Sequence, residues 1–553
     1  MSCAVPDFHG FCGYDARVQS QLAPATGLAG SQAKVRGNSR SDCPAARRAV
    51  SDGGDRKVKD KRVLLFFPSY RSIEAAPPLA LLALAPIAEQ RGLTVDIIDS
   101  TIEPRFRERI IDQLDDAVCV GISIVTGPMI VEAIEVARAV KAARPDVPVV
   151  LGGWHPSTLA EQSLSAPYID VVVRGQGELT FGEILDKLLA GATLDGVQGC
   201  SYRNAEGRIV HNPPRRTVNI SELPAKAYHL VDLEPYAALS RRRWVYYTSS
   251  HGCPYDCSFC SNASLYGRAW NALPADRVVA EAVELVRRFR LDLLDIVDDN
   301  FLVDRQRGVD IAQGFIRSGL KFDWCIQTTA NFLLRSSDAD VRLMRQSGLS
   351  RVFIGAESGS DDVLRSVNKV RFQGTSVLYQ VAEKCHDADI RCTFSLIFAL
   401  PGETDADQRQ TLAMIRDIKG RFPNTEFHSN IYTPYPGAPN FKRALEMGLR
   451  EPQSLEEWAE FYPKFQRLPW VDEKRHQRIQ RMRDYIRIAY GMEAVRRRSR
   501  LRNAANHLLA PIARARLDAH TYGLPVELWA LKGLSRVKNA LGFQNVRTHI
   551  VQS

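Results

Sequence analysis

Three cysteines lie within eight positions of the stretch HGCPYDCSFCSN, which covers residues 251 to 262. Cys253, Cys257 and Cys260 have the spacing C-x3-C-x2-C. Four thiolates would close a tetrahedral zinc site or occupy every iron of an iron–sulfur cluster. Three thiolates leave one coordination position open, and substrates and cofactors bind to metals at such positions. The pattern therefore predicts a reactive metal centre.

Two other interpretations of these cysteines are a structural zinc site and a set of buried structural thiols. A zinc site would need His251 as its fourth ligand, but only Gly252 separates this histidine from Cys253, which makes a closed tetrahedron awkward. The spacing also differs from the paired C-x2-C motifs of common zinc modules.

Composition predicts a soluble protein with more than one domain. Of 553 residues, 45% are hydrophobic and 25% are charged. No apolar run reaches the roughly 18 residues of a membrane helix, and MSCAVPDFHG lacks the features of a secretory signal. The 11 cysteines are an odd number and are scattered outside the one cluster. We therefore expect reduced thiols and a cytoplasmic location.

The net charge of +10 comes from the carboxyl-terminal part of the chain. From Lys474 onward there are 17 Lys or Arg and four acids, a net charge of +13. We predict a helical, basic region over 446–553, which could be a solvated face or could contact anionic lipid or nucleic acid. The apolar and basic residues that follow Tyr522 could lie on a membrane surface or dock on the body of the protein.

Residues 1–60 lack sustained periodicity and are predicted to be a disordered leader. Short apolar runs then alternate with helical patterns over 61–200: RVLLFF, LTVDIID, AVCVGIS, DVPVVLG and IDVVV. This alternation predicts a doubly wound parallel sheet, which binds ligands outside the carboxyl ends of its strands. Glycines lie at those ends in VGISIVTGP, VLGGWHP and VVRGQGE, where they would let a bulky ligand approach the backbone. No G-x-G-x-x-G opens the first helix, so a dinucleotide is not favoured.

A linker with a small hairpin is predicted over 201–242, followed by a second alternating series over 243–445. Its six β/α repeats are too few for the usual eight-fold barrel and predict a partial TIM-type barrel, (β/α)6. The fold class expected for the whole chain is therefore α/β. Because the chemically interesting residues again follow the strands, the barrel would place them where active sites are built.

The second series resembles the radical S-adenosylmethionine (SAM) superfamily. The resemblance rests on the C-x3-C-x2-C loop after the first barrel strand, on the stretch IGAESGS from Ile354 and on FSLIFALPGET from Phe394. The domain before it resembles the cobalamin-binding domain of the cobalamin-dependent class B branch. The resemblance covers roughly residues 62 to 440, with Ala399 standing where relatives often have glycine.

The resemblance implies that the three cysteines bind three irons of a 4Fe-4S cluster and that SAM binds the fourth. It implies SAM contacts from Phe259, Asp298, Asn331 and Glu357. Phe259 would contact adenine, and Glu357 would accept a hydrogen bond from the ribose. Asp298 or its neighbour Asp299 could instead cap the next helix, and Asn331 could simply form a turn.

The resemblance also implies a cobalamin site with the benzimidazole off the cobalt. The D-x-H-x-x-G signature is absent after the first strand, where FFPSYRSIEA contains no histidine, so no histidine ligand is expected. His155 is predicted to be a loop residue and not a cobalt ligand. The implied cobalamin-binding residues are Ser123, Thr126, Gly127, Gly152, Gly153, Gly175 and Gly177.

The function implied by the resemblance is methylation of an unactivated carbon or phosphorus through methylcobalamin and a 5′-deoxyadenosyl radical. One alternative is an oxidative cyclase or rearrangement enzyme, similar to the tetrapyrrole cyclases. A methylthiotransferase acting on RNA or protein would need three cysteines in the first domain, which offers only Cys119 and Cys200. The remaining alternative is a cobalamin or cluster sensor that is not an enzyme.

The implied partners are a small-molecule substrate and an electron donor such as flavodoxin or ferredoxin. The substrate could be a lipid, a tetrapyrrole or a natural-product intermediate. Nucleic acid is not expected as a partner, whereas the basic tail leaves open a peripheral membrane contact.

Overall fold

The computed structural model describes residues 61–69, 75–369, 373–461, 467–491 and 500–531, and helices and strands alternate through most of them. The leader predicted for 1–60 lies outside the described residues. None of the described helices is long and apolar enough to cross a bilayer.

The first domain is built on a seven-stranded sheet with the order β2-β1-β3-β4-β5-β6-β7. Its strands are β1 (Arg62–Phe67), β2 (Thr94–Asp99), β3 (Ala117–Ser123), β4 (Val149–Gly152), β5 (Val171–Val173), β6 (Cys200–Arg203) and β7 (Ile209–His211). Its helices are α1 (Leu79–Glu89), α2 (Phe106–Ile111), α3 (Met129–Ala143), α4 (Trp154–Thr158), α5 (Ala160–Ser165) and α6 (Glu178–Leu189).

Strands β1 to β5 are parallel and confirm the five strands predicted from the sequence. Their order is that of doubly wound sheets of the flavodoxin type. The run RVLLFF buries side chains on both faces of β1, as expected for a parallel strand covered by helices on either side. One apolar cluster packs α1 and α6 against the sheet, and another packs α3 against its opposite face.

The hairpin predicted near Cys200 is present as β6 and β7, and it pairs antiparallel to β5. The first sheet therefore continues past position 200, into the stretch predicted to be a linker. The rest of that stretch contains helix α7 (Glu234–Ser240), and the Tyr236 hydroxyl donates to Asp99 at the end of β2 at 2.9 Å.

The second domain is an open sheet of six parallel strands with the order β15-β14-β13-β12-β11-β8. Its strands are β8 (Trp244–Tyr247), β11 (Leu293–Ile296), β12 (Asp323–Thr328), β13 (Leu349–Glu357), β14 (Arg391–Phe398) and β15 (Thr425–Ile431), and a ribbon of β9 (Ser250–His251) and β10 (Asn271–Ala272) follows β8. Its helices are α8 (Asn262–Tyr266), α9 (Ala275–Phe289), α10 (Arg305–Arg317), α11 (Ala330–Arg335), α12 (Asp338–Gln346), α13 (Asp361–Ser366), α14 (Thr375–Asp387) and α15 (Asp405–Arg421).

The six barrel strands lie in the order of the chain, which confirms the predicted partial barrel. The open edge at β15 is covered by the described part of the carboxyl-terminal region. This part contains α16 (Pro439–Glu446), α17 (Leu455–Ala459), α18 (Glu473–Tyr490) and α19 (Arg500–Asp518). Helix α18 packs on β15, and Arg483 donates to the Ser429 carbonyl at 2.9 Å, so the edge is not left as a template for strand pairing.

The segment after the barrel returns to the first domain. Helix α17 packs on α3, and Tyr168 donates to Glu456 at 2.7 Å. Trp458 is fully buried in the core of the first domain, where its ring lies 5.5 Å from His155 and 4.7 Å from Phe461 between centroids. This segment fastens the two domains to each other.

Replacing Trp458 tests whether its packing on the first domain stabilises the protein. Trp458→Ala should lower the free energy of unfolding by about 3–5 kcal/mol, because a large buried side chain is lost and a cavity remains. Trp529→Ala, at a position that is 51% exposed, is the control and should change it by less than about 0.5 kcal/mol. Urea-induced unfolding measures both, and equal effects of the two variants would contradict this role for Trp458.

Candidate active site between the two domains

The cysteine loop follows β8 and β9 and leads into α8. Gly252 begins the loop with φ +83°, and a Cβ there would stand 2.0 Å from the Ala269 carbonyl oxygen, so only glycine fits. Ser258 ties the loop down on two sides. Its N–H donates to the Val367 carbonyl at 3.2 Å, and its carbonyl accepts from Asn440 N–H at 2.7 Å.

The three cysteines of the loop form no disulfide bond, and each is partly buried. Cys260 Sγ accepts from Asn262 N–H at 3.4 Å, and Cys253 Sγ accepts from the Asn300 amide at 3.7 Å. Burial raises the pKa of Cys253, and it raises the pKa of Cys257 to about 12 even though the Lys369 ammonium opposes it. These thiols would therefore need a bound cation to become thiolates.

The described part of the chain contains no group of three His, Cys, Asp or Glu side chains arranged around a single metal ion. The closed zinc site with His251 is therefore not present among these residues. The His251 ring instead packs 5.7 Å from Tyr266, and burial lowers its pKa to about 3. A cluster binds each thiolate to a different iron, so its ligands stand farther apart than those of one ion. Three partly buried thiols outside any disulfide bond, two of which accept hydrogen bonds from N–H groups, fit a cluster.

Lys369 connects two of the four predicted SAM residues, Phe259 of the cysteine loop and Glu357. Phe259 packs against a small apolar cluster, and the Lys369 Nζ lies 5.8 Å from its ring centroid. Glu357 ends β13 with φ +62° and forms a buried ion pair of 2.6 Å with the same lysine. One oxygen of the Glu357 carboxylate is therefore already bound by Lys369.

Asp298 has a different environment from the one the SAM assignment implies. Its carboxylate is fully buried and accepts three hydrogen bonds of 2.6 Å from Ser249 and Ser250. Asp299 accepts from Gly252 N–H at 2.9 Å and keeps its buried Oδ1 without a partner. Neither aspartate caps the next helix, because Asp304 caps α10.

Asn331 joins a short chain of polar groups beside the cysteines. Its Oδ1 accepts from Thr329 at 2.7 Å, and its amide donates to the Tyr255 hydroxyl within the loop. Asn300, which the sequence analysis did not select, connects this chain to Cys253. Its position in the stretch DDNF after β11 was the available signal.

Ala399 directly follows β14 and has φ +67°, a conformation that favours glycine. This accounts for the glycine that relatives often have there. Its N–H donates to the buried Glu403 at 2.6 Å, and its carbonyl accepts from Trp470 at 3.0 Å. Burial raises the pKa of Glu403 to about 7.

A large cleft opens beside the cysteine loop, with an empty volume of about 1580 Å³ that includes solvent at its mouth. The first domain lines it with the carboxyl ends of β1, β3, β4 and β5, and the barrel lines it with the ribbon and α8. Of the predicted cobalamin residues, five line the cleft: Ser123, Gly152, Gly153, Gly175 and Gly177. Gly153 has φ +101°, and a Cβ there would stand 2.3 Å from the Ile124 carbonyl oxygen.

The other two predicted cobalamin residues, Thr126 and Gly127, are not among the residues that line the cleft. The buried Thr126 hydroxyl instead pairs with His155 Nδ1 at 3.0 Å. His155 was predicted to be a loop residue, but it lies in α4 because the helix begins directly after Gly153. It is 1% exposed and is also absent from the cleft lining.

Besides the strand-end glycines, polar residues that the sequence analysis did not select line the cleft. Five of them are Gln176, Glu178, Lys226, Arg277 and Glu281. Gln176 and Glu178 lie beside the predicted glycines and could have been found by position. Lys226 carried no signal, because it belongs to the stretch predicted as a linker.

The fold and this cleft define a class of enzyme with a cluster loop next to a ligand-binding doubly wound domain. Residues 74–185 match the model of the B12 binding domain, and residues 247–415 match that of the radical SAM superfamily. The chain is 30% identical over 404 residues to an uncharacterized methyltransferase of Pyrococcus horikoshii, covering 71% of this chain and 85% of that protein. The chain belongs to the B12-binding radical SAM family.

Other relatives include the hopanoid C-3 methylase of Methylococcus capsulatus, which is 27% identical over 65% of this chain and 67% of that protein. The fold is similar to that of the cobalamin-dependent radical SAM enzyme OxsB, with a TM-score of 0.69 and 16% identity over 87% of this chain and 76% of that one. It is also similar to TsrM from Kitasatospora setae, with a TM-score of 0.60 and 18% identity over 75% of this chain and 82% of that one.

His155 should make stability depend on pH. Burial lowers its pKa from 6.5 to about 3, so below pH 6.5 the unfolded chain takes up a proton that the folded chain refuses, and stability falls with pH. Between about pH 7.5 and about pH 5.5, the free energy of unfolding of the native protein should fall by about 1.4 kcal/mol more than that of the His155→Gln variant. Urea-induced unfolding of both proteins at the two pH values measures this difference. An equal decrease in the free energy of unfolding of the two proteins would contradict the prediction.

Proposed function

We propose that this protein is a cobalamin-dependent radical SAM methyltransferase that methylates an unactivated carbon or phosphorus centre. The observation that carries the proposal is a loop with three partly buried thiols, none in a disulfide bond, beside a cleft that both domains line. When bound, the cluster and SAM would supply an adenosyl radical, and methylcobalamin would supply the methyl group. Relatives named as methyltransferases support the transferred group.

In this proposal the three cysteines hold the cluster, and Asn300 orients Cys253 through its amide donor. Phe259, in the loop, and Glu357 are proposed SAM contacts, with Lys369 fixing the carboxylate of Glu357. Asp298 positions the backbone of the loop through Ser249 and Ser250 instead of offering a free carboxylate. Asn331 would act through Tyr255.

Cobalamin would occupy the cleft against the strand-end glycines, with its benzimidazole off the cobalt and no histidine beneath. None of the described cleft-lining residues that the first domain contributes is a histidine, which supports this mode. Gly152 would leave room for the ligand, since a Cβ there meets only Val173 at 3.9 Å. The electron donor is proposed to be a flavodoxin or ferredoxin, in the cytoplasm.

A second candidate function is oxidative cyclisation. Anaerobic magnesium-protoporphyrin IX monomethyl ester cyclase of Rubrivivax gelatinosus is 27% identical over 68% of this chain, which favours this alternative. The methylthiotransferase alternative has less support, because Cys119 and Cys200 are fully buried in the first domain. Transfer of label from the methyl group of SAM to a product separates methylation from cyclisation.

The proposed substrate is a small molecule, and a lipid would suit the carboxyl-terminal region. Five large apolar side chains are strongly exposed there: Leu508, Ile512, Leu524, Val526 and Trp529. Together with the basic composition after Lys474, this surface suits peripheral contact with anionic lipid.

Removing single thiols tests the cluster. Cys253→Ala, Cys257→Ala and Cys260→Ala should each lose most of the bound iron after anaerobic reconstitution and release no 5′-deoxyadenosine from SAM with dithionite. Cys325→Ala removes a buried thiol from β12 and is the matched control, which should retain both properties. Native protein that holds zinc without iron, or variants that still cleave SAM, would refute the proposal.

Membrane contact is tested by flotation with phosphatidylglycerol vesicles. The full chain should float with them, and Leu508→Ser combined with Trp529→Ser should reduce the bound fraction at least tenfold, because two apolar side chains leave the bilayer. Ile316→Ser on α10 is the control, since Ile316 is 42% exposed but lies on the barrel. A native chain that does not float would contradict the contact.

A further inference from the structure

Lys226 brings a cation to the cleft, near the carboxylates of Glu281, Glu178 and Asp298. Its Nζ donates to the Thr248 carbonyl at 3.1 Å and lies 5.4 Å from the Tyr247 ring centroid. No ion pair joins Lys226 to a carboxylate among the described residues. An ammonium can donate three hydrogen bonds, so Lys226 keeps donor capacity for a ligand. Burial lowers its pKa, as expected for a cation held away from water.

Two of the three acids near Lys226 accept hydrogen bonds from other groups. Glu281 accepts from Arg277 and from the Tyr247 hydroxyl, each at 2.7 Å. Asp298 accepts from Ser249 and Ser250, as described above. Lys226 is half-buried and forms one hydrogen bond, so a ligand that supplies acceptor oxygens could satisfy its remaining donors.

Gln176 adds a second donor on the side of the first domain. Its Oε1 accepts from Val218 N–H at 2.7 Å, which fixes the orientation of the amide. Its Nε2 is buried without a partner, although Gln176 lines the cleft. Glu178, in the first turn of α6, lines the same cleft with a carboxylate that is 8% exposed.

Donors and an acceptor therefore line one cleft, and this combination selects the ligand chemistry. An anionic ligand would be attracted by Lys226 but repelled by Glu178. A primary amide satisfies both, because its carbonyl accepts and its NH₂ donates. The periphery of a corrin ring carries primary amide groups.

We propose that Lys226 and Gln176 donate to carbonyl oxygens of the amide side chains of the corrin and that Glu178 accepts from their NH₂ groups. This inference rests on the proposed function. It gives the stretch between the domains a role in holding the cofactor, since both Lys226 and the Val218 N–H that fixes Gln176 belong to it.

The test measures corrinoid binding by equilibrium dialysis, with hydroxocobalamin and with cobinamide, which keeps the corrin amides but lacks the nucleotide. Lys226→Met should weaken both about 10- to 100-fold, because each loses a hydrogen bond to a charged donor. Gln176→Leu should weaken both about three- to tenfold. Lys321→Met, at an exposed lysine before β12, is the control and should bind like the native chain.

The thermal midpoint of the corrinoid-free protein shows whether each variant folds. Lys226→Met should change it little, because Met keeps the aliphatic stem and the substitution removes one hydrogen bond, to the Thr248 carbonyl. Native affinity of a folded Lys226→Met for both corrinoids would overturn the inference. A loss confined to hydroxocobalamin would also overturn it, by assigning Lys226 to the nucleotide phosphate. Failure of the native chain to bind either corrinoid would instead overturn the proposed function and, with it, the inference.

Discussion

The structure depends on two parallel sheets whose strands end at a common cleft. Parallel strands bring their carboxyl ends to one edge, and the loops that follow collect there whatever their separation in the chain. The first sheet contributes its glycines to the cleft, and the barrel contributes the ribbon before the cysteine loop. The segment around Trp458 packs on the first domain and holds the two sheets in this arrangement. Any chemistry that needs a cluster beside a bulky cofactor requires this convergence.

Burying the polar groups around the cysteine loop removes their hydration, and hydrogen bonds or ion pairs within the protein replace it. Asp298 is satisfied by three short hydrogen bonds, and Glu357 is neutralised by Lys369. The thiols and Lys226 are the exceptions, because burial disfavours their charged forms and the protein does not compensate it in full. Groups left in this condition mark the positions where bound cofactors would supply the missing interactions.

Local patterns were sufficient to predict all the parallel strands of both domains, because buried parallel strands are short apolar runs bounded by turn residues. The strand-end glycines of the cleft were predicted for the same reason. Long-range relationships were not predictable. Asn300 reaches Cys253 across 47 positions, and Trp458 packs on a domain that ends far earlier in the chain. The placement of His155 in a helix and of the hairpin in the first sheet likewise depends on packing, which no local pattern encodes.

The central claim is that the three-cysteine loop leaves one iron of a cluster free to bind SAM. Mössbauer spectroscopy of protein reconstituted anaerobically with isotopically enriched iron tests it most directly. Adding SAM should change the signal of one iron site and leave the three thiolate-bound sites unchanged. A spectrum that does not respond to SAM, or protein that takes up no iron, would contradict it.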